Sequence, residues 1–385
     1  MQNSDFSQLT LENTVPLGDG GCAYVPPPLP PGWEPDRETT LLLSQADMAV
    51  GRLSGLGQVI PNPHLLIRPY ARREAVLSSK IEGTRSEYED AVLFEIDPDG
   101  SKTGDADEVD NYIKAMDHGL ACLDRLPLSG RLIREIHARL LASGRGQHRG
   151  PGRFRSNQVW IGPEGMGIEG ATYVPPPVPQ MKEAFDELER FLNQPTALPI
   201  LIRLAMVHYQ IEAIHPFEDG NGRIGRLLIV FMLCKEQVLT QPLLYLSAYF
   251  EKHRQTYYGL LLEVSTQGAW NDWIVFFLRG IIAQSNDAIT RAIKLTELRD
   301  QYHRALHDAG VTSTIHQLVD QLFERPATRA NLIAADFGVK HQTAMKYLRI
   351  LEGHNMVEEI TGRSRDMVFM ARGVVHTTNA PLESL

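Results

Sequence analysis

Residues 215–226 read His215-Pro216-Phe217-Glu218-Asp219-Gly220-Asn221-Gly222-Arg223-Ile224-Gly225-Arg226, between an apolar helical pattern ending near Ala213 and another beginning near Arg223. Pro216 disfavours the helical region for the residue before it, so the first helix should end at His215 and turn the imidazole into the loop. A histidine there is available as a base near neutral pH. Gly220, Asn221 and Gly222 form a stretch whose backbone can take unusual dihedrals and present successive N–H groups just before a helix N-terminus, where the dipole favours an anion. Arg223 and Arg226 are three apart and share one face of the first helical turn. Each cation at the positive end of a helix costs about 0.3–1 kcal/mol unless an anion is present. This mismatch points to a polyphosphate ligand. Asp219 would repel phosphates by itself, whereas a carboxylate beside phosphates is what a Mg²⁺ ion requires. Phe217 is expected to point the other way, as the apolar anchor of the loop. No Gly-x-x-x-x-Gly-Lys-Ser/Thr occurs, which excludes a P-loop as the phosphate site.

The string resembles the Fic family signature His-x-Phe-x-(Asp/Glu)-Gly-Asn-Gly-Arg-x-x-Arg without a departure. The resemblance implies a helical Fic core with a small β-hairpin flap, and transfer of AMP from ATP to a Ser, Thr or Tyr hydroxyl of a target protein, with Mg²⁺. On that resemblance His215 is the base that deprotonates the hydroxyl and Asp219 is the Mg²⁺ ligand. Gly220, Asn221 and Gly222 would cradle the phosphates, with Asn221 on the α-phosphate oxygens and counted with His215 as catalytic. Arg223 and Arg226 would hold the β- and γ-phosphates. Gln158 to Gly162, with a return arm near Ala171 to Val174, resembles the family's flap. Its residues Val159, Trp160, Ile161 and Gly162 join the ATP-site candidates, and its edge would hold the target segment by strand addition. Tyr257 and Tyr258 resemble the segment that lines the adenine pocket, whereas Trp270, Trp273, Phe276 and Phe277 recur at helical spacing and are assigned to the core.

A second motif lies upstream, at Ser78-Ser79-Lys80-Ile81-Glu82-Gly83. Ser78 and Glu82 are four apart on one helical face. Gly83 reads as the helix stop, and Thr84-x-x-Glu87 as the capping box of the next helix. Glu82 sits at the negative end of its helix, where a carboxylate is disfavoured and should want a cation. The stretch resembles the family's Ser/Thr-x-x-x-Glu-Gly/Asn inhibitory motif, which implies autoinhibition by Glu82 pairing with Arg226. In some family members the same Glu assists removal of AMP.

The chain has 385 residues, 43% hydrophobic and 22% charged, enough for a sizeable core and two or three domains. Its formal charge of −9 equals the excess of ten acids over one base, Lys102, within residues 86–110, so the remainder is neutral and any charge-selected partner is read by a local patch. Cys22, Cys122 and Cys234 lie far apart, which excludes a disulfide scaffold or a thiolate zinc site and suits a reducing cytoplasm. The longest apolar run, Leu227 to Cys234, is far short of the roughly 20 residues that span a bilayer, so no membrane partner is expected.

The spacing predicts a mainly α chain, divided into a Pro-rich arm (1–36), a helical region with the inhibitory helix and an acidic linker (37–110), the catalytic core (111–308) and a winged helix-turn-helix (312–385). Helices are expected over 38–54, 70–82, 84–95, 107–125, 129–142, 179–193, 197–213, 223–236, 249–265, 270–284 and 285–308. In the tail, Thr328–Phe337 and Lys340–Glu352 read as the two helices and Met356–Ile360 with Met367–Met370 as the wing. Lys340, His341, Gln342, Thr343, Lys346, Arg363 and Arg365 form a recognition set. Seven bases against five acids over 326–372 make only a weak footprint for DNA, against docking of a protein. The leading reading is an autoinhibited protein adenylyltransferase, with self-modification and a homodimer compatible with it. Its rivals are a transcriptional regulator with a nucleotide-sensing core, an enzyme using another nucleotide, and one that removes AMP.

Overall fold

The computed structural model describes residues 1–18, 21–59, 64–97, 105–163 and 165–381; Asp99 and Lys102 of the acidic run lie outside the described residues. The N-terminal segment is not the unpacked arm that its composition suggests. Met1, Phe6, Cys22, Ala23 and Tyr24 are buried, and strands β1 (Thr14–Pro16) and β2 (Cys22–Tyr24) pair antiparallel with Val15 opposite Ala23. A few aromatic and apolar side chains suffice to dock a polar segment, because each aromatic buries roughly 150–250 Å². The two similar Pro-rich strings meet in space: the Tyr24 N–H donates to the Val174 carbonyl at 3.0 Å, and the rings of Tyr24 and Tyr173 lie 6.5 Å apart.

The described chain is mainly helical. Helices α1 (Arg37–Val59), α2 (His64–Ile81), α3 (Tyr88–Ile96), α4 (Ala106–Cys122) and α5 (Gly130–Leu140) precede the flap. After it come α6 (Val178–Asn193), α7 (Ile200–Ile214), α8 (Asn221–Lys235), α9 (Ser247–Lys252), α10 (Arg254–Gln267) and α11 (Trp270–Asp308). Nearly every residue of α7 and α8 is buried, as all-round apolar helices must be. They pack on each other, α1 lies along α11, and α2 is clasped by α4, α9 and α12 (Ser313–Glu324).

Several sequence expectations are overturned. Residues 270–308 form one helix rather than two, because Asp287, just after the expected break, accepts Arg291 one turn on in the same helix and Arg73 of α2, at 2.9 Å each. Residues 249–265, expected as one helix, divide into α9 and α10 at His253. Thr84 does not cap α3. The cap is Glu87, boxed with Asp90, because the Thr84 N–H is taken by the Ser79 carbonyl (3.2 Å) in the turn that ends α2. The acidic run is not a bare linker either. It forms α3 and the start of α4, and its acids pair with arginines from other elements: Glu95 with Arg72, Asp97 with Arg329, Glu89 with Arg372 and Glu108 with Arg145 and Arg223. Counting charge along the chain hides such pairs.

In the tail, β3 (Ala327–Thr328), α13 (Ala330–Phe337), α14 (His341–Gly353), β4 (Glu358–Glu359) and β5 (Phe369–Met370) follow α12, with α15 (Arg372–Asn379) last. The three strands form an antiparallel sheet in the order β3-β5-β4, and Gly338 (φ 63°) supplies the left-handed turn between α13 and α14. The apolar core is continuous from Met1 to Val374. Among the described residues no helix is long and apolar enough to cross a membrane.

Candidate active site

Helix α7 ends at Ile214, and His215 is its left-handed C-cap (φ 49°, ψ 60°) rather than the extended residue that Pro216 favours. This conformation is rare for a non-glycine residue. It is held by Arg155, buried, whose Nε donates to the His215 carbonyl at 2.8 Å while its backbone N–H donates to the Pro216 carbonyl at 2.9 Å. His215 Nδ1 lies 3.2 Å from the Glu212 carbonyl. A proton on Nδ1 donates there and leaves Nε2 with its lone pair toward the cavity. Burial pushes the His215 pKa down to about 4, so the imidazole is neutral at physiological pH.

The loop after it is closed by Asn221. Its Oδ1 accepts the Phe217 N–H and its Nδ2 donates to the Phe217 carbonyl, both at 2.9 Å. Phe217 is fully buried and stacks on His137 with centroids 3.8 Å apart. His137 is a second fastener: the Gly152 N–H donates to its Nδ1 (2.9 Å), so Nε2–H donates to the Asp219 carbonyl (2.9 Å). Burial lowers the His137 pKa to about 4, which keeps that neutral tautomer. Gly220 (φ 81°) is the N-cap of α8 and has no side chain to satisfy the first N–H groups.

The two motif arginines part company. Arg226 reaches the cavity: Nε donates to Ser78 Oγ (2.8 Å), and Nη2 donates to the Ser78 carbonyl (3.0 Å) and to Glu82 Oε1 (2.6 Å). Arg223 does not. It is buried behind the loop, with Nη1 donating to Glu108 Oε2 at 3.1 Å and Nη2 to Asp219 Oδ1 at 3.2 Å. The Glu108 carboxylate also accepts Arg145 Nε at 2.8 Å.

The α2 helix ends in a Schellman turn, with the Thr84 N–H on the Ser79 carbonyl, the Gly83 N–H on the Lys80 carbonyl (2.9 Å) and Gly83 at φ 90°. That turn delivers Glu82 to the N-terminus of α8, so close that a Cβ added to Gly222 would stand 2.2 Å from Glu82 Oε1. A carboxylate thus occupies the anion position of that helix. Tyr258 tethers the same end of α2 by donating its hydroxyl to the Ile81 carbonyl at 3.3 Å.

These groups open onto a cavity of about 650 Å³, lined by Glu82, His215, Asp219, Gly220, Asn221, Gly222 and Arg226, by Tyr257 and Tyr258, and by Trp160, Ile161 and Gly162 of the flap. Its size suits a nucleotide. Trp160 and Ile161 are 45% and 42% exposed at its mouth. Tyr257 is fully buried, with its hydroxyl 2.9 Å from His208 Nε2. Val159, Ser78 and Gly83 do not line it. The flap is a single bridge, Ile161 with Tyr173, rather than the expected ladder, because the return arm continues into Pro175-Pro176-Pro177, which have no N–H to donate. Among the described residues no cluster of three metal-ligating side chains occurs. Sequence reasoning missed Glu108, His137, Arg155 and Glu212. Glu212 lines the cavity, and burial raises its pKa to about 7. Its spacing of three from His215 was the only available signal.

Residues 40–121 match the Fic/DOC family N-terminal model and residues 127–233 the Fic/DOC family model. The chain thus carries a Fic/DOC N-terminal region and a Fic domain. Relatives named protein adenylyltransferase Fic are 32% identical over 153 residues in Aedes aegypti, covering 37% of this chain and 26% of that protein, and 28% identical over 184 residues in Drosophila mojavensis, covering 46% and 32%. The chain thus spans about a quarter to a third of those relatives. A Fic family protein from Desulfovibrio desulfuricans G20 superposes with a TM-score of 0.56 over 89% of this chain and 98% of that one, at 19% identity. This likeness shows that the Fic fold is shared.

Proposed function

We propose that the chain is a protein adenylyltransferase held in an inhibited state by Glu82. The observation that carries this reading is the pairing, in one nucleotide-sized cavity, of a neutral His215 with a free Nε2 and a glycine-rich helix N-terminus beside Arg226. The reaction is an in-line displacement. Nε2 of His215 takes the proton of the target hydroxyl, the hydroxyl oxygen bonds to the α-phosphorus of ATP, and the bond to the β-phosphate oxygen breaks to release pyrophosphate. The N–H groups of Gly220 to Gly222 and the Arg226 guanidinium bear the phosphate charge, which is most of the catalysis in such transfers.

Asp219, partly exposed at the rim, fits the role of a Mg²⁺ ligand, since this ion is commonly held by one or two carboxylates together with substrate phosphates and waters. When bound, Mg²⁺ would neutralise phosphate charge. Asp219 would leave the Arg223 Nη2 contact to serve it, while Glu108 keeps Arg223 in place. Trp160 and Ile161 offer an exposed apolar edge on which a target segment can lie.

Glu82 explains the resting state. Its carboxylate stands where the terminal phosphate would meet Arg226. The test is incubation with Mg²⁺ and ATP labelled at the α-phosphate. The wild type should self-label weakly, Glu82→Gly strongly and His215→Ala not at all. Equal labelling of the first two would remove the inhibitory role, and label from the γ- but not the α-phosphate would overturn adenylyl transfer.

A further inference from the structure

The tail carries a charge pattern that its sequence conceals. Of its seven bases, Arg329 pairs with Asp97, Arg349 with Glu352, and Arg372 with Glu89 and Glu358. Of its five acids, Asp336 pairs with Arg325, and Glu359 is turned onto the N–H groups of Thr361 and Gly362. Four bases remain without an ion-pair partner among the described residues: Lys340, Lys346, Arg363 and Arg365, all exposed. Lys340 is the N-cap of α14 and Lys346 lies in its first half, while Arg363 and Arg365 lie in the loop that meets this helix. Helix α14 buries Ala344, Leu348 and Leu351, so its opposite stripe of Gln342, Lys346 and Arg349 faces solvent. The hairpin loop folds back on that helix, as a recess of about 270 Å³ shared by His341, Met345 and Ser364 to Met367 shows.

We propose that this face, the N-terminal half of α14 with the 361–366 loop, is a binding surface for double-stranded DNA. The charge is right: four unpaired cations against Asp366, the acid of this face. A protein partner is disfavoured by composition. Every exposed large hydrophobic among the described residues lies before residue 294, none in the tail, whereas the cores of protein interfaces are rich in aromatic and apolar anchors. A helix about 10–12 Å across fits the roughly 12 Å major groove of B-form DNA. The deep, narrow major groove of an RNA duplex does not admit it. Lys340 and Lys346 would meet the phosphates at the start of the helix, His341 and Gln342 would face base edges, and Arg363 and Arg365 would reach the flanking backbone.

The test measures binding of the full chain to a fluorescent mixed-sequence 24-base-pair DNA by anisotropy, in 50 to 200 mM KCl. Neutralising about four phosphates gives a slope of log affinity against log salt of about −3.6, so affinity should fall about a hundredfold over that range. Lys340→Glu with Lys346→Glu should weaken binding at 50 mM at least tenfold and flatten the slope to about −1.8. Arg363→Glu with Arg365→Glu should act likewise, and Lys346→Arg should bind as wild type. Lys182→Glu, an exposed site on α6, controls for net charge and should leave binding within twofold. His215→Ala should bind DNA normally, which separates this surface from the nucleotide chemistry. No binding by the wild type at 50 mM, equal binding by both double variants, or equal affinity for an RNA duplex of the same length would overturn the proposal. So would saturable binding of poly-glutamate in place of DNA, which would assign the face to an acidic protein.

Discussion

Glu108 and Arg223 form an ion pair of 3.1 Å in which both residues are only 2% exposed, and through it a residue from the acidic run reaches α8, the helix that follows the His215–Gly220 loop. Arg223 bridges Glu108 to Asp219, so the carboxylate at the cavity rim is aimed by a charge on a different helix. Glu108→Ala should strand a buried guanidinium and destabilise the fold by about 3–5 kcal/mol. Denaturant unfolding checks this. A loss below about 1 kcal/mol would mean that Asp219 and water compensate Arg223 without Glu108.

The Tyr258 hydroxyl donates to the Ile81 carbonyl, one residue before Glu82, the proposed inhibitory glutamate. Tyr258→Phe keeps the ring against the cavity and removes that tether. With about 1 kcal/mol lost from the inhibited state, basal self-labelling should rise about fivefold, well short of Glu82→Gly. In the Glu82→Gly background the same change should add nothing, and an equal rise there would refute the tether.

His215 titrates near 4 because burial disfavours its charged form. Below that pH it is protonated and accepts no proton; above it the base is free. Single-turnover labelling by Glu82→Gly should therefore show no His215 limb at the ordinary histidine value of about 6.5. Glu212, raised by burial to about 7, is the group in the cavity that changes charge near neutrality. An inflection near pH 7 should vanish in Glu212→Gln. One that persists at 6.5 in that variant would assign His215 an unshifted value.

His137 fastens the loop through two hydrogen bonds and a stack on Phe217. His137→Phe preserves the stack and leaves the Gly152 N–H and the Asp219 carbonyl without their partner, a cost of about 1–3 kcal/mol if both stay buried. Folding also holds the His137 pKa at about 4, below its unfolded value of about 6.5. Its contribution is complete above pH 6.5 and is lost as pH falls toward 4, so the wild type and His137→Phe should converge in stability across that window. Parallel curves would show that His137 does not titrate in this way.

Much of the site was legible because its chemistry is local. His215 through Arg226 needs only a helix end, a glycine turn and a helix start, each set by neighbouring residues, and the Ser78–Gly83 turn is likewise built from residues within two helical turns. What was not legible depends on distant partners. Thr84 lost its capping role to a turn made by Ser79, the break expected at 284–285 was healed by Arg73, and the N-terminal arm docked because Phe6 found Tyr24 across a hairpin.

By itself the sequence determined a mainly helical chain, the loop from His215 to Gly220 between two helices and the helix end that carries Glu82, because periodicity, capping and glycine placement act over a few residues. Only the tertiary structure decided which charges meet. It sent Arg226 to Glu82 in the cavity and Arg223 behind the loop to Glu108, although the two arginines differ by less than one helical turn. It also matched Glu89, Glu95, Asp97 and Glu108 with distant arginines and left four cations of the tail without an ion-pair partner among the described residues, since an ion pair depends on separation in space, which neither composition nor order along the chain records.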